Sequence, residues 1–212
     1  MTGNSSETDG LLHSAAEGDK DSWGALLARH QERLRRMVAL RLDHRLQGRF
    51  DASDVIQEAY LEASKRLADY LKQPNMPFFL WLRFITGQKL LELHRYHLGA
   101  QARDAGREVS LYRGSLPETT SAALAAQLLG HLTRPSEAAI RAETKVRLQE
   151  ALNRMEPLER EVLALRHFEH LSNAETAQVL GIQESAASKR YLRALKRLKD
   201  ILTSTPGGIG EI

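Results

Sequence analysis

Cysteine is absent from this chain, which excludes disulfides and any thiolate metal site. No apolar run approaches the roughly 20 residues that span a bilayer, and the opening MTGNSSETDG is polar. The expectation is a cytoplasmic protein with no membrane partner. Aromatic residues make up only 6%, so any local concentration of them carries information. A large net charge is missing too: the formal value is +3 over 212 residues. That small figure hides segregation. Residues 51–64 carry Asp51, Asp54, Glu58 and Glu62 with no Lys or Arg, whereas 189–199 carry six basic residues and no acid. Patches of opposite sign imply two different partners, one basic and one polyanionic. With 42% hydrophobic and 27% charged residues, the chain can build one large core or two small ones.

The most informative stretch is 171–199, LSNAETAQVLGIQESAASKRYLRALKRLK. Ser172 or Asn173 is a good helix N-cap, and Ala174, Ala177 and Leu180 share one stripe of the helix that follows. Gly181 stands where the chain needs a left-handed backbone, with Ile182 as a buried plug behind it. A second helix begins at Glu184-Ser185, and its apolar positions Ala187, Tyr191, Ala194, Leu195, Leu198 and Ile201 recur at the 3.6-residue period. The other face carries Ser188, Lys189, Arg190, Arg193, Lys196, Arg197 and Lys199. A capped short helix, a Gly turn and a longer basic helix form the helix-turn-helix pattern, whose second helix fits the major groove of DNA. A basic amphipathic helix alone would be an ordinary solvated surface; the cap and the turn at the right offset decide between the two. Burying the apolar stripe turns Glu184, Ser185, Ser188 and Lys189 outward as base readers, with Arg190 and Arg193 beside them. Lys196, Arg197 and Lys199 are left for phosphates or for the domain surface.

Ahead of this motif, residues 1–9 read as disordered and Leu11–Glu17 as a short helix stopped by Gly18. Asp19 or Asp21 caps a long helix from Ser22 toward Leu46, on Leu26, Leu27, Leu34, Val38 and Leu42, ended by Gly48. The next helix opens at Asp51 or Ser53 along the stripe Ile56, Tyr60, Ala63, Leu67 and Tyr70, leaving Asp54, Gln57, Glu58 and Leu61 on exposed faces. Acids in a first helical turn are explained by the macrodipole; this covers Asp51 and Asp54 but not Glu58 and Glu62. Residues 72–77, KQPNMP, break the helix, and FFLWLRFITGQKLLELHRYH (78–97) begins another. Here aromatics interleave with cations, a combination that suits single-stranded nucleic acid. Trp81, Phe84 and Ile85 are read as core; His94, Arg95 and Tyr96 are read as facing the strand. Residues 98–135 lose periodicity and read as a linker, in which SAALAAQLL can form a short helix. Pro135-Ser136-Glu137 starts a helix to Met155, and Pro157 another with Leu158, Val162, Leu165 and Phe168 inside. From Thr203 on, the chain reads as a disordered tail.

Taken together, DASDVIQEAYLEASKRL, WLRFITGQKLLELHR and LSNAETAQVLGIQESAASKRYLRALKRLK resemble bacterial RNA polymerase sigma factors of the sigma-70 family, in the short extracytoplasmic-function form. The resemblance implies an all-α protein of two small helical domains joined by a flexible linker: 11–97, linker 98–135, and a helix-turn-helix domain 136–202. It implies docking of Asp51, Asp54, Gln57 and Glu58 on the clamp of the largest subunit of core RNA polymerase. It implies recognition and melting of the −10 promoter element by Trp81–His97, and reading of the −35 element by the helix-turn-helix. On this basis Arg95, Tyr96 and the loop Lys72-Gln73-Pro74-Asn75 are expected to hold the melted strand. Promoter DNA, duplex and melted, is then the second partner, and an anti-sigma protein a further one that the sequence leaves open. Two places depart from the family pattern: Gln88 where many members have Asn, and the stretch Ala187-Ser188-Lys189 where the recognition helix usually has a β-branched residue, then Lys and Ser.

The alternative is a stand-alone helix-turn-helix regulator, which would need a dimerisation or ligand domain in place of residues 11–97. An enzyme reading would rest on His94/His97 and His167/His170, spaced i, i+3. Neither pair has a third ligand in convincing position, so no catalytic residue, cofactor or metal is expected.

Overall fold

The computed structural model describes residues 3–98, 119–132 and 138–204. Among them every regular element is helical, and the contacts divide into two compact units.

The first unit contains α1 (Gly3–Ala16), α2 (Lys20–Arg41) as far as Val38, α3 (Ala52–Lys72) and α4 (Phe78–Leu98). Helix α1 begins well inside the segment read as disordered, and Glu7 on it pairs with Arg29 of α2 at 2.9 Å. Gly18, at φ +94°, makes the turn between them. Asp19 caps α2 by accepting the Asp21 and Ser22 backbone N–H groups. The period that predicts α2 runs on toward Leu46, yet the helix stops at Arg41. The reason is tertiary: the Asp43 N–H donates to Nε2 of His94 on α4 at 3.2 Å, and the turn that follows still buries Leu46. His94 is therefore a core residue and not a strand contact, and its burial pushes the imidazole pKa down.

Between α2, α3 and α4 lie Leu26, Leu34 and Val38, then Ile56, Ala59 and Ala63, then Leu82, Ile85 and Leu90, all 2% exposed or less. Each large aliphatic group so buried contributes about 1.5–3 kcal/mol. At one end of this core His30 sits 5.7 and 5.4 Å from the rings of Phe78 and Phe79. Trp81 stacks on Tyr70 at 4.6 Å. The aromatics at the start of α4 thus serve packing, as read for Trp81; Trp81 and Phe84 are half-buried and Ile85 fully buried.

The second unit contains α5 (Ser121–Leu132), α6 (Ala138–Asn153), α7 (Pro157–Leu163), α8 (Asn173–Leu180) and α9 (Glu184–Ser204). Helix α5 lies in the stretch read as linker, and it packs in this unit with Leu124 and Ala125 fully buried beside Leu148 and Leu152 of α6. Residues 99–118, the helix start at 135–137 and the tail beyond 204 lie outside the described residues. Where the sequence reads one helix from Pro157 to Phe168, the structure has α7 followed by a π-helical turn, Ala164–Phe168. Its exit is closed by a 2.9 Å bond from the Leu171 N–H to the Leu165 carbonyl, with His170 at φ +54°. That is the left-handed position usually given to glycine.

Candidate functional site

The helix-turn-helix is assembled by local chemistry. Ser172 caps α8 by accepting the Glu175 N–H at 3.1 Å, and Glu175 accepts the Ser172 N–H at 2.7 Å, a complete capping box. Thr176, Ala177 and Leu180 are the buried residues of α8. Ala174, expected on that stripe, is exposed instead, and Thr176 is buried, its hydroxyl donating to the Ser172 carbonyl. Gly181 adopts φ 62°, ψ 38°, and Ile182, half-buried, donates its N–H to Ala177.

Helix α9 is held against this frame at three levels. At its start the Asn173 side-chain amide donates to the Glu184 carbonyl at 2.8 Å. At mid-length the Arg166 guanidinium lies 5.3 Å from the Tyr191 ring and donates to the Leu171 carbonyl at 2.6 Å. Further on, Arg197 faces Glu159 at 3.6 Å. Ala187 and Ala194 are fully buried and Leu198 nearly so. The rotation fixed in this way exposes Glu184, Ser185, Ser188, Lys189, Arg190 and Arg193, and also Lys196 and Lys199. Leu195, expected on the buried stripe, lies at its edge, 37% exposed, next to Leu192 at 62%.

In the first unit α3 and α4 run antiparallel, and this decides which predicted residues meet. Asp51 is the N-cap of α3: it accepts the Ser53 and Asp54 N–H groups, while Asp54 accepts the Asp51 N–H at 2.8 Å. Those two acids serve the helix start, as the macrodipole argument anticipates. Gln57 and Glu58 are exposed one turn on. Glu62 is held by Arg66 at 2.5 Å, whose hydrogen bond lowers its pKa. Arg66 in turn donates to Gln88 of α4 at 3.3 Å, so this departure from the family pattern ties α3 to α4.

An open cleft of about 650 Å³ lies where α3 begins and α4 ends. It brings Asp54, Gln57 and Glu58 together with Lys89, Tyr96 and His97. Asn75 is exposed just before the opposite end of α4, whose rise from Phe78 to Tyr96 alone is roughly 27 Å at 1.5 Å per residue. The structure therefore groups Tyr96 with the acidic set and not with the Asn75 loop. Sequence reasoning missed the other walls of this cleft, Arg49, Phe50 and Leu93. A signal was present: Phe50 and Val55 occupy the N′ and N4 positions of a hydrophobic staple around the Asp51 cap. Among the described residues no group of three or more His, Cys, Asp or Glu is placed to hold a metal ion, and no helix is long and apolar enough to cross a membrane.

Comparison with known proteins bears on both units. The family model described as "Sigma-70, region 4" matches residues 145–198, the helix-turn-helix and the helices that support it. The ECF RNA polymerase sigma factor SigD of Mycobacterium tuberculosis H37Rv is 29% identical over 200 residues, 94% of this chain and 86% of its own. CnrH, an RNA polymerase sigma factor of Cupriavidus metallidurans, is 27% identical over 91% of this chain and 92% of its own. The solved structure of CnrH in complex with the cytosolic domain of CnrY superimposes with a TM-score of 0.54 at 24% identity, covering 92% of this chain and 97% of that one, which supports the same all-helical fold. Residues 145–198 thus match region 4 of the sigma-70 family, and the chain is similar over about nine-tenths of its length to RNA polymerase sigma factors, SigD of the ECF group among them.

Proposed function

We propose that this protein binds core RNA polymerase and directs it to promoters, as a transcription initiation factor that carries out no chemistry of its own and works in the cytoplasm. The observation that carries the reading is the extent of the likeness: SigD aligns over 94% of the chain, across both units. A stand-alone regulator would share only the helix-turn-helix.

The domain roles follow the two units. The first, 11–97, docks on the polymerase clamp through Gln57 and Glu58, with Asp51 and Asp54 shaping the helix start beside them. Its strand-capture function rests on Arg95 and on Asn75, whose proline-flanked loop is stiff and presents a pocket at little ordering cost. Tyr96, beside the α3 carboxylates, is left out of that set. The second domain, 136–202, lays α9 in the major groove of the upstream element. There Glu184, Ser185, Ser188 and Lys189 meet base edges, Arg190 and Arg193 flank them, and the later cations meet phosphates. CnrH is solved with the cytosolic domain of CnrY, and by analogy a protein that covers these surfaces restrains this chain.

Reconstitution tests the reading. Core polymerase with the purified chain is expected to give run-off transcripts from a cognate promoter, whereas the chain alone should bind that duplex weakly. Tight duplex binding without polymerase, together with no effect on transcription, would return the helix-turn-helix to the stand-alone class.

A further inference from the structure

We propose that the cleft at the start of α3 and the end of α4 receives an arginine side chain of core polymerase, with Tyr96 as its stacking face and Glu58 and Asp54 as its carboxylate partners. The inference rests on the polymerase-docking reading above and gives Tyr96 a protein partner in place of the melted strand.

Three features of the cleft select this occupant. The first is its aromatic wall. Phe50 lies 4.6 Å from the His97 ring, which meets Tyr96 edge-on at 4.8 Å. Tyr96 itself is 83% exposed, far more than a tyrosine placed for packing alone. The second is charge. The lining holds Asp54, Glu58 and Glu92 against Arg49 and Lys89, and Lys89 is tied to Glu92 at 2.9 Å. Lys89 also feels Glu58, but three carboxylates against two cations leave the lining with one uncompensated negative charge, on the side of Asp54 and Glu58. Asp54 uses one carboxylate oxygen, Oδ2, in the helix cap, and Oδ1 remains to accept from a partner. The third is the floor, where Val55 and Leu93 offer an apolar surface for an aliphatic stem.

An apolar floor, a ring at the side and carboxylates at the rim match the three parts of one side chain. Arginine has an aliphatic stem, a planar cation that stacks on rings and a donor fork that fits carboxylates. Lysine lacks the plane and the fork. A nucleic-acid strand is a poor occupant, because its phosphates would run past Asp54 and Glu58. Cations for such a strand lie elsewhere, as with Arg95, exposed on the same helix outside this lining.

Equilibrium binding of the labelled full chain to purified core polymerase tests this. Tyr96→Phe keeps the ring and should bind within about twofold of the wild type, whereas Tyr96→Leu keeps bulk without the ring and should bind about tenfold more weakly. Glu58→Gln should weaken binding similarly. The double variant Tyr96→Leu with Glu58→Gln should lose much less than the product of the two, because both act on one side chain. Holoenzyme formed at saturating Tyr96→Leu should open promoter DNA normally by permanganate reactivity. The proposal is overturned if Tyr96→Leu binds like Tyr96→Phe, if the two losses multiply, or if the saturated variant holoenzyme fails to open DNA. A wild-type chain that does not bind core polymerase at all would instead remove the docking reading on which this rests.

Discussion

Helices α3 and α9 are both 21 residues long and amphipathic, but they treat their charges in opposite ways. On α3 the charges are largely satisfied within the fold. Asp51 and Asp54 close a capping box, Glu62 is bound to Arg66, and Lys72 pairs with Asp69. Among the described residues Arg197 is the one cation of α9 with a carboxylate within reach, and Lys189, Arg190, Arg193, Lys196 and Lys199 make no ion pair. A row of cations without counter-charges repels itself, and a polyanion relieves that repulsion by replacing condensed counterions. Helix α9 is therefore a surface completed by its ligand, whereas α3 satisfies most of its charges itself and presents a short exposed set at its start, Gln57 and Glu58 with the second carboxylate oxygen of Asp54. Counting charges along the chain would rank the two faces as equals. Their pairing separates them.

The largest effect that would break this comparison lies beneath α9. Ala194 is fully buried, so Ala194→Asp places an unpaired charge in the core and is expected to cost about 3–5 kcal/mol. The readout is loss of the second unit's melting transition and of duplex DNA binding together. Retention of both would mean that α9 is not held by this stripe. Next comes α3. Glu58→Lys should leave helical circular dichroism unchanged and abolish co-purification with polymerase, whereas Asp51→Ala should cost about 1 kcal/mol of stability as a lost cap and leave assembly intact in folded protein. Equal assembly losses from the two would place the docking acids at the cap itself. Within α9, Lys189→Ala should cost about 1–3 kcal/mol at one promoter position, while Lys196→Ala weakens all sequences alike and flattens the salt dependence. Competition binding against a library of upstream elements at two salt concentrations reads both. The smallest effect belongs to His170, whose left-handed backbone favours glycine. His170→Gly should raise thermal stability by up to about 1 kcal/mol with DNA binding unchanged.

What could be read from the sequence was whatever is encoded over a few neighbouring residues. The Asp19, Asp51 and Ser172 caps, the left-handed turn at Gly181 and the alanine stripe of α9 each depend on side chains within about one helical turn. Features set by distant contacts were not legible. Helix α2 ends at Arg41 because Asp43 meets His94 of another helix, and the period of Leu42 and Leu46 gives no hint of it. The π-helical turn at 164–168 hides in a stretch that reads as continuous helix, since Leu165 and Phe168 keep helical spacing. His94 and Tyr96 look equivalent in the run HRYH, yet one is buried and the other exposed; only the packing of α4 on its neighbours distinguishes them. The candidate site followed the same rule. The outward set on α9 was legible from its own stripe, while the grouping of Tyr96 with Glu58 needed the antiparallel placement of α3 and α4.

The central claim, that one chain gives polymerase two separate promoter contacts, is tested most directly by sequencing RNA 5′ ends after induced expression. The account predicts a set of new transcripts whose start sites share two upstream elements at fixed spacing, and no such set when Glu58→Lys is expressed instead. New start sites sharing a single palindromic element, or an unchanged response to Glu58→Lys, would contradict it.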